Sequence, residues 1–441
     1  MAQATLPRGA QEVARRPGSA RNLDSLLRSL EIETRLLGMI VALAIIWMGF
    51  QIMSGGVFLT SRNLWNLSVQ SASIAIMATG MVLIIVSRNI DLSVGSLLGF
   101  LGYTMAMVQV QWIPNALHLG FNQPYTWLVA LAVGVVLGAL IGGFQGLIVA
   151  YGGVPAFIVT LGGFLVWRGL IFAYAQGQTL GPMDSNFALL GGGPNGSLGE
   201  IGSWIVGALG CVAIILTVLS NRRRRHAYGF TVRPPWALVT VIVASCVAVL
   251  GAVWIANSYY WPDALAHQYA LSHSIPEPPG GLRIPTGIAY PVLIMIGVAL
   301  VMTFIATRRR FGRYVFAIGG NPEAAELAGI NVRRTILLTY VLMGILCAIS
   351  AAVQTARLNS AVTNLGVQNE LDVISAAVIG GSSLSGGIGT IPGAVLGAVV
   401  MQSLRSGMVM LRVDSPTQDI VVGIVLVAAV GLDAFLRRRK K

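Results

Sequence analysis

Charge is scarce in this sequence. Asp, Glu, Lys and Arg together make up 10% of its 441 residues, against about 25% in an ordinary soluble chain. So few charges cannot keep a surface of that size wet. Lysine is missing until Lys440 and Lys441. A P-loop needs a lysine behind its glycines to reach the phosphates, so ATP cannot be bound here in that way and any nucleotide chemistry belongs to a partner. Cysteine is limited to Cys211, Cys246 and Cys347, each inside an apolar run. They read as small buried hydrophobes and show no metal spacing. His267 and His273 stand near Asp263 and Glu277 in a polar loop, but their spacing fits no ligand pattern. Neither a metal nor another cofactor is expected.

What fills the chain instead is apolar. Fifty-five per cent of the residues are hydrophobic, enough for a dozen spanning helices of about 20 residues each. Twelve apolar segments are legible, at 36–54, 68–87, 92–112, 125–151, 156–175, 201–219, 236–256, 288–306, 335–355, 371–388, 391–411 and 418–436. The expected fold is therefore all-α, a polytopic bundle of about 10–12 membrane helices with broken or re-entrant segments.

The formal charge of +13 raises the question of nucleic acid. Of the 29 Lys and Arg, 22 fall in 1–35, 222–233, 308–334 and 437–441. Each cluster borders an apolar segment and none has a domain of its own, so the excess reads as topology, since cytoplasmic loops collect basic residues. No nucleic acid is expected. With the N-terminus inside, every cluster falls on the inner side. The expected layout is a cytoplasmic segment over 1–35 with a short interfacial helix at Leu23, Leu26, Leu27 and Leu30, a transmembrane body over 36–436 with an inner loop at 307–334, and a basic tail at 437–441. Residues 176–200 and 257–287 form long outer loops.

Two places interrupt the helical pattern at membrane depth. In Ser87-Arg88-Asn89-Ile90-Asp91-Leu92-Ser93-Val94-Gly95 an ionisable pair lies between closely spaced apolar runs. Such charges are costly unless they face protein or water. Asp91 or Ser93 is expected to cap the next helix, and the same residues are candidates to border a transport path. The second place, Gly380–Gly393, holds six glycines in fourteen residues, and irregular backbone at this depth must be buried in protein or line a cavity. Gly138-Ala139-Leu140-Ile141-Gly142 is similar to Gly393-Ala394-Val395-Leu396-Gly397. Both are small-residue faces that pack closely in lipid, either independently or as traces of a duplicated half. Arg168 and Arg405 lie near the outer ends of their segments, where snorkelling explains them.

The loop Gly319–Asn331 encodes a short helix. Asn321 suits the N-cap, Pro322 the first turn, Glu323 the positive end, Ala324 and Ala325 propagation, and Gly329 termination. Two turns are too few to stand alone, so this helix must pack on its own bundle or on something else. Glu323-Ala324-Ala325 followed after three residues by Gly329 resembles the cytoplasmic loop by which permeases of ATP-binding-cassette importers engage their ATPase. Asn89–Ser96, Gly153–Gly162, Tyr314–Glu323 and Ala377–Gly381 with Gly386-Gly387 resemble the monosaccharide branch of that family, nearest its xylose and multiple-sugar permeases. The chain departs in having Arg88 and Asn89 where relatives often have a glycine pair, and Gln145-Gly146 where many have Asn-Gly.

The resemblance implies a non-enzymatic, multi-pass permease of a bacterial inner membrane with both termini cytoplasmic. It implies a permease homodimer, a separate ATPase subunit, an extracytoplasmic sugar-binding protein and a monosaccharide substrate. Asn321, Pro322, Glu323, Ala324, Ala325, Glu326 and Gly329 would then couple to the ATPase. Asn89, Asp91, Ser93, Gln354, Asn369 and Glu370 are the path or gate candidates, alternating access being a shift between two states of the bundle. An ion-coupled secondary transporter would need intramembrane acids, for which Asp91, Glu370 and Asp372 are the nearest. A membrane enzyme would need paired carboxylates, and Glu370 with Asp372 is the best pair.

Overall fold

A computed structural model describes residues 34–230, 232 and 234–438. The interfacial helix expected within 1–35, and residues 439–441 of the tail, lie outside the described residues. The helices are α1 (Thr34–Met53), α2 (Ser61–Val86), α3 (Val94–Met107, continued by a π-helix over Val108–Ala116), α4 (Thr126–Ala150), α5 (Ala156–Ala175), α6 (Ser185–Ala188), α7 (Gly199–Ala227) and α8 (Pro235–Asn257). The second half comprises α9 (Asp263–Ser272), α10 (Tyr290–Arg308), α11 (Arg310–Gly320), α12 (Pro322–Leu327), α13 (Val332–Leu358), α14 (Asn369–Ile379), α15 (Ile391–Met410) and α16 (Ser415–Arg438). Among the described residues β pairing is limited to isolated bridges such as Leu180 with Ala361.

Nine of the described helices (α1, α2, α4, α5, α7, α8, α10, α13 and α15) are long and apolar enough to cross a bilayer. Two more expected crossings survive in altered form: α3 completes its span through the π segment, and α16 has a shorter apolar part at Ser415–Ala428. The segment expected at 371–388 is not a spanning helix. It contains α14, 11 residues long, followed by a glycine turn. At 1.5 Å per residue α14 covers about 16 Å, half of a hydrocarbon core of about 30 Å. The irregular stretch 359–368 precedes it, with Gly366 against Gly95.

Contacts sort the helix termini onto two ends. At one, Trp65 Nε1 donates to Gly287 O, Leu198 N to Ile288 O and Met183 N to Asn359 Oδ1. This end carries the loops 176–198 and 257–289. At the other, Val86, Arg88, Gly319 and Gly387 meet, and the arginines of the α7, α10 and α13 termini lie at this basic end. Within the loop end, His267 Nδ1 pairs with Glu277 Oε1 at 2.6 Å, whereas the His273 ring stacks on Tyr269. The two imidazoles have separate partners.

α2 sits at the centre, its apolar and small residues enclosed by α10, α13, α14 and α15. Small residues set the closest approaches. A side chain at Gly138 would overlap the backbone of Gly344, and one at Gly397 would overlap that of Ala376. The two similar stretches thus share a position in the fold: each lies on the helix that follows a broken crossing, α4 after α3 and α15 after α14. The other periphery, α7 and α8, packs mainly on itself and leaves apolar side chains facing outward, as a lipid-facing hairpin must.

Candidate translocation site

The two broken crossings begin their helices side by side. Val94 O, at the start of α3, faces Cys347 Sγ near the middle of α13. Gly95 lies against Gly366 and Glu370, so closely that a Cβ on Gly95 would overlap the Glu370 carboxylate and the Gly366 carbonyl. One helix start therefore meets the other inside the bundle, α3 rising to the loop end and α14 descending to the basic end.

Irregular backbone at this depth needs substitutes for its missing helical hydrogen bonds. One face of α5 reaches both: Arg168 Nη1 donates to Leu365 O at 3.2 Å, and the Thr160 hydroxyl, 2.9 Å from Ala156 O in its own helix, comes within 3.3 Å of Ile90 O. Arg168 is therefore turned inward, to the backbone ahead of α14, which corrects the snorkelling expectation. Arg168 Nη2 and Glu370 Oε2 are buried without a hydrogen-bond partner.

Beside α14 a polar cleft of about 170 Å³ opens between α2, α13, α14 and α15. Gln354 Oε1 accepts from Asn369 Nδ2 at 3.0 Å and from Ser73 Oγ at 3.3 Å. Across the cleft Gln402 Nε2 donates to Gln70 Oε1 at 2.8 Å. Asp372, whose side chain is 6% exposed, is held by Arg405 Nε at 2.8 Å. Arg405 too is paired inward rather than snorkelling. Arg357 completes the lining.

Of the path or gate candidates, Gln354 and Asn369 meet in this cleft. Glu370 faces the other way, to Gly95. Asn89, Asp91 and Ser93 stay at the first break. There Asp91 Oδ1 accepts from Ser93 N at 2.9 Å and Ser93 Oγ at 2.6 Å, while Asn89 Nδ2 turns back to Ser87. Asp91 thus closes a turn ahead of α3, and the Ser93 side chain bonds to Asp91 rather than to the first-turn N–H groups. Sequence reasoning passed over Gln70, Ser73, Gln402 and the Asp372–Arg405 pair. A lone amide or hydroxyl in an apolar helix was the only signal of the first three, and Asp372 and Arg405 were visible singly but not as partners; pairing across α2, α13, α14 and α15 is a property of the fold.

At the basic end α12 has the local chemistry its sequence predicts. Asn321 Oδ1 accepts from Ala324 N at 3.1 Å, Pro322 opens the first turn and Gly329 takes φ +82°. Ala325 is buried against the bundle, whereas Glu323, Ala324 and Glu326 are exposed and Leu327 is 90% exposed. Just before α12, Arg88 Nε donates to Gly319 O at 2.8 Å and Arg88 Nη2 to Gly320 O at 2.7 Å. Gly387 N donates to Val86 O, and a side chain on Gly319 would overlap both Val86 O and Gly387 N. The root of α12 is thereby tied to the first break through Arg88 and to the end of the second through the Gly386–Gly387 turn.

Comparison with known proteins places the chain in a family. Residues 63–430 match the family described as branched-chain amino acid transport system / permease component. The chain is 38% identical over 413 residues to the xylose transport system permease protein XylH of Escherichia coli K12, covering 94% of each chain. It is 35% identical to the Haemophilus influenzae XylH, covering 94% of this chain and 99% of that one. Identity to the E. coli ribose import permease protein RbsC is 32%, over 85% of this chain and 87% of that protein. No solved structure matches the chain. With a family match across nearly the whole bundle and membrane-length helices throughout, this chain is a multi-pass membrane protein of the transport-system permease-component family.

Proposed function

We propose that the chain is the membrane-spanning subunit of an ATP-binding-cassette importer of the bacterial inner membrane, carrying xylose or a similar aldose. The observation that carries this reading is the likeness, over nearly the full length, to permeases named for xylose and ribose. The cleft supports it chemically. Gln70, Ser73, Gln354, Asn369 and Gln402 offer amide and hydroxyl groups that can exchange their mutual hydrogen bonds for those of a polyol. Each such exchange is nearly balanced, which suits a path that must release what it admits.

In this reading α12 is the handle on a separate ATPase. Its outward residues Glu323, Glu326 and Leu327, with Asn321, Pro322, Ala324, Ala325 and Gly329 shaping it, dock on that subunit. A sugar-binding protein delivers substrate at the loop end, two permease copies form the pore, and both termini are cytoplasmic. Closure of the ATPase moves α12, Arg88 and the Gly386–Gly387 turn carry that movement to the two broken crossings, and the cleft changes access. A ligand or motor can do this only by favouring one state over the other. Asn89, Asp91, Ser93 and Glu370 act here as the structured ends of the moving segments rather than as sugar contacts.

The test is reconstitution with the ATPase and binding protein in vesicles. ATP-dependent xylose uptake is expected, together with loss of ATPase co-purification on substituting Glu323→Lys and Gly329→Val while membrane insertion stays intact. Uptake driven by an ion gradient without ATP, or full ATPase recovery with both substitutions, would contradict the reading.

A further inference from the structure

Arg308, Arg309, Arg310 and Arg313 crowd the elbow between α10 and α11. None of the four has a carboxylate partner among the described residues. Arg309 instead lies over the Phe304 ring, 4.9 Å from its centroid. A surface groove of about 780 Å³ runs beside them between α10, α11 and α13. The elbow is tight, because a side chain on Gly312 would overlap the carbonyls of Ile305 and Ala306. All four guanidinium-bearing chains consequently rim the same groove. Its wall is apolar: Ile305, Phe311, Leu338, Val341, Leu342 and Ile345. The four α13 residues recur at helical spacing and cover about 10 Å of one face.

We propose that this groove binds an anionic phospholipid, with the phosphodiester held by the arginine rim and an acyl chain laid along α13. Charge and polarity together select this occupant. A small soluble anion would satisfy the rim and leave the apolar wall unused. A lipid of no net charge would cover the wall and leave the rim's charge uncompensated. Arginine's planar donor fork suits phosphate oxygens, and basic pockets at the ends of spanning helices are where anionic headgroups are recognised. The groove lies at the ends of two membrane-length helices, α10 and α13, which is headgroup level. Since α11 leads directly into α12, a lipid here would steady the base of that short helix. The inference needs only that α10 and α13 lie in a bilayer, and it stands or falls apart from the importer reading.

Native mass spectrometry of the full-length permease tests it with three probes: dioleoyl phosphatidylglycerol, dioleoyl phosphatidylcholine and inorganic phosphate. Phosphatidylglycerol should be retained preferentially. Each of Arg309→Gln, Arg310→Gln and Arg313→Gln should weaken it about fivefold, since a basic residue near an anionic surface contributes about 1 kcal/mol. Val341→Trp, which fills the groove while keeping the rim, should lower retention of the lipid, whereas Arg222→Gln with Arg223→Gln on α7 should leave it unchanged. The proposal is overturned by equal retention of the two lipids, by displacement of the lipid with millimolar inorganic phosphate, or by a preference that survives both the rim and the groove variants.

Discussion

Replacing Arg405 by methionine would leave the Asp372 carboxylate, 6% exposed, without its guanidinium. Breaking such an enclosed pair by removing one partner costs about 3–5 kcal/mol, so Arg405→Met should lower the thermal unfolding temperature markedly. Arg405→Met with Asp372→Asn should recover most of the loss. An unfolding temperature unchanged by the single variant would show that the pair carries no stability. Arg168 follows a related logic. It donates to the Leu365 carbonyl, so Arg168→Leu should destabilise the protein more than Arg168→Lys, measured in the same unfolding experiment. Asp372 and Glu370 were legible in the sequence as acids at the edge of a membrane segment. The pairing of Asp372 with Arg405 was not. Arg168 and Arg405 each sit near the end of an apolar run, and linear distance to that end reads as snorkelling whether the side chain turns to water or into the bundle.

Among the elements, α3 and α14 depend on a contact no larger residue allows. A Cβ on Gly95 would overlap Glu370 and Gly366, and overpacking of this sort costs about 1–3 kcal/mol. Gly95→Val should therefore reduce sugar uptake about tenfold, each 1.36 kcal/mol in a barrier being tenfold in rate, while ATPase recovery on the permease stays normal. Uptake at the original rate would mean that the two helix starts need not meet. The long apolar helices were legible because continuous hydrophobicity leaves few alternatives to spanning. The stretch 371–388 was not, because hydropathy reports how apolar a segment is and not whether its backbone is helical. The glycine run did signal irregular backbone there. Only the fold shows that the irregular part extends upstream of Asn369, through 359–368, and that α5 reaches it with Arg168. For α12 the sequence was sufficient, since capping, propagation and termination are all local, and the structure added that Leu327 is 90% exposed.

At the scale of the molecule, α13 runs from just after α12 to Gln354 and Arg357 of the cleft, and two further contacts hold the root of α12 to the broken crossings. Arg88 binds the carbonyls of Gly319 and Gly320 just ahead of α12, and the Gly386–Gly387 turn packs on the same place. If these contacts transmit movement of α12, access to the cleft must depend on the state of the ATPase and on Arg88. The direct measurement is the labelling rate of Gln402→Cys by a membrane-impermeant thiol reagent in the assembled transporter, in a background lacking Cys211, Cys246 and Cys347, with and without trapped ATP. The rate should change about tenfold on trapping, the shift expected when a ligand favours one state by about 1.4 kcal/mol. That change should disappear with Arg88→Ala although the ATPase remains bound. A rate indifferent to ATP, or the same response with Arg88 removed, would contradict a link from α12 to the cleft.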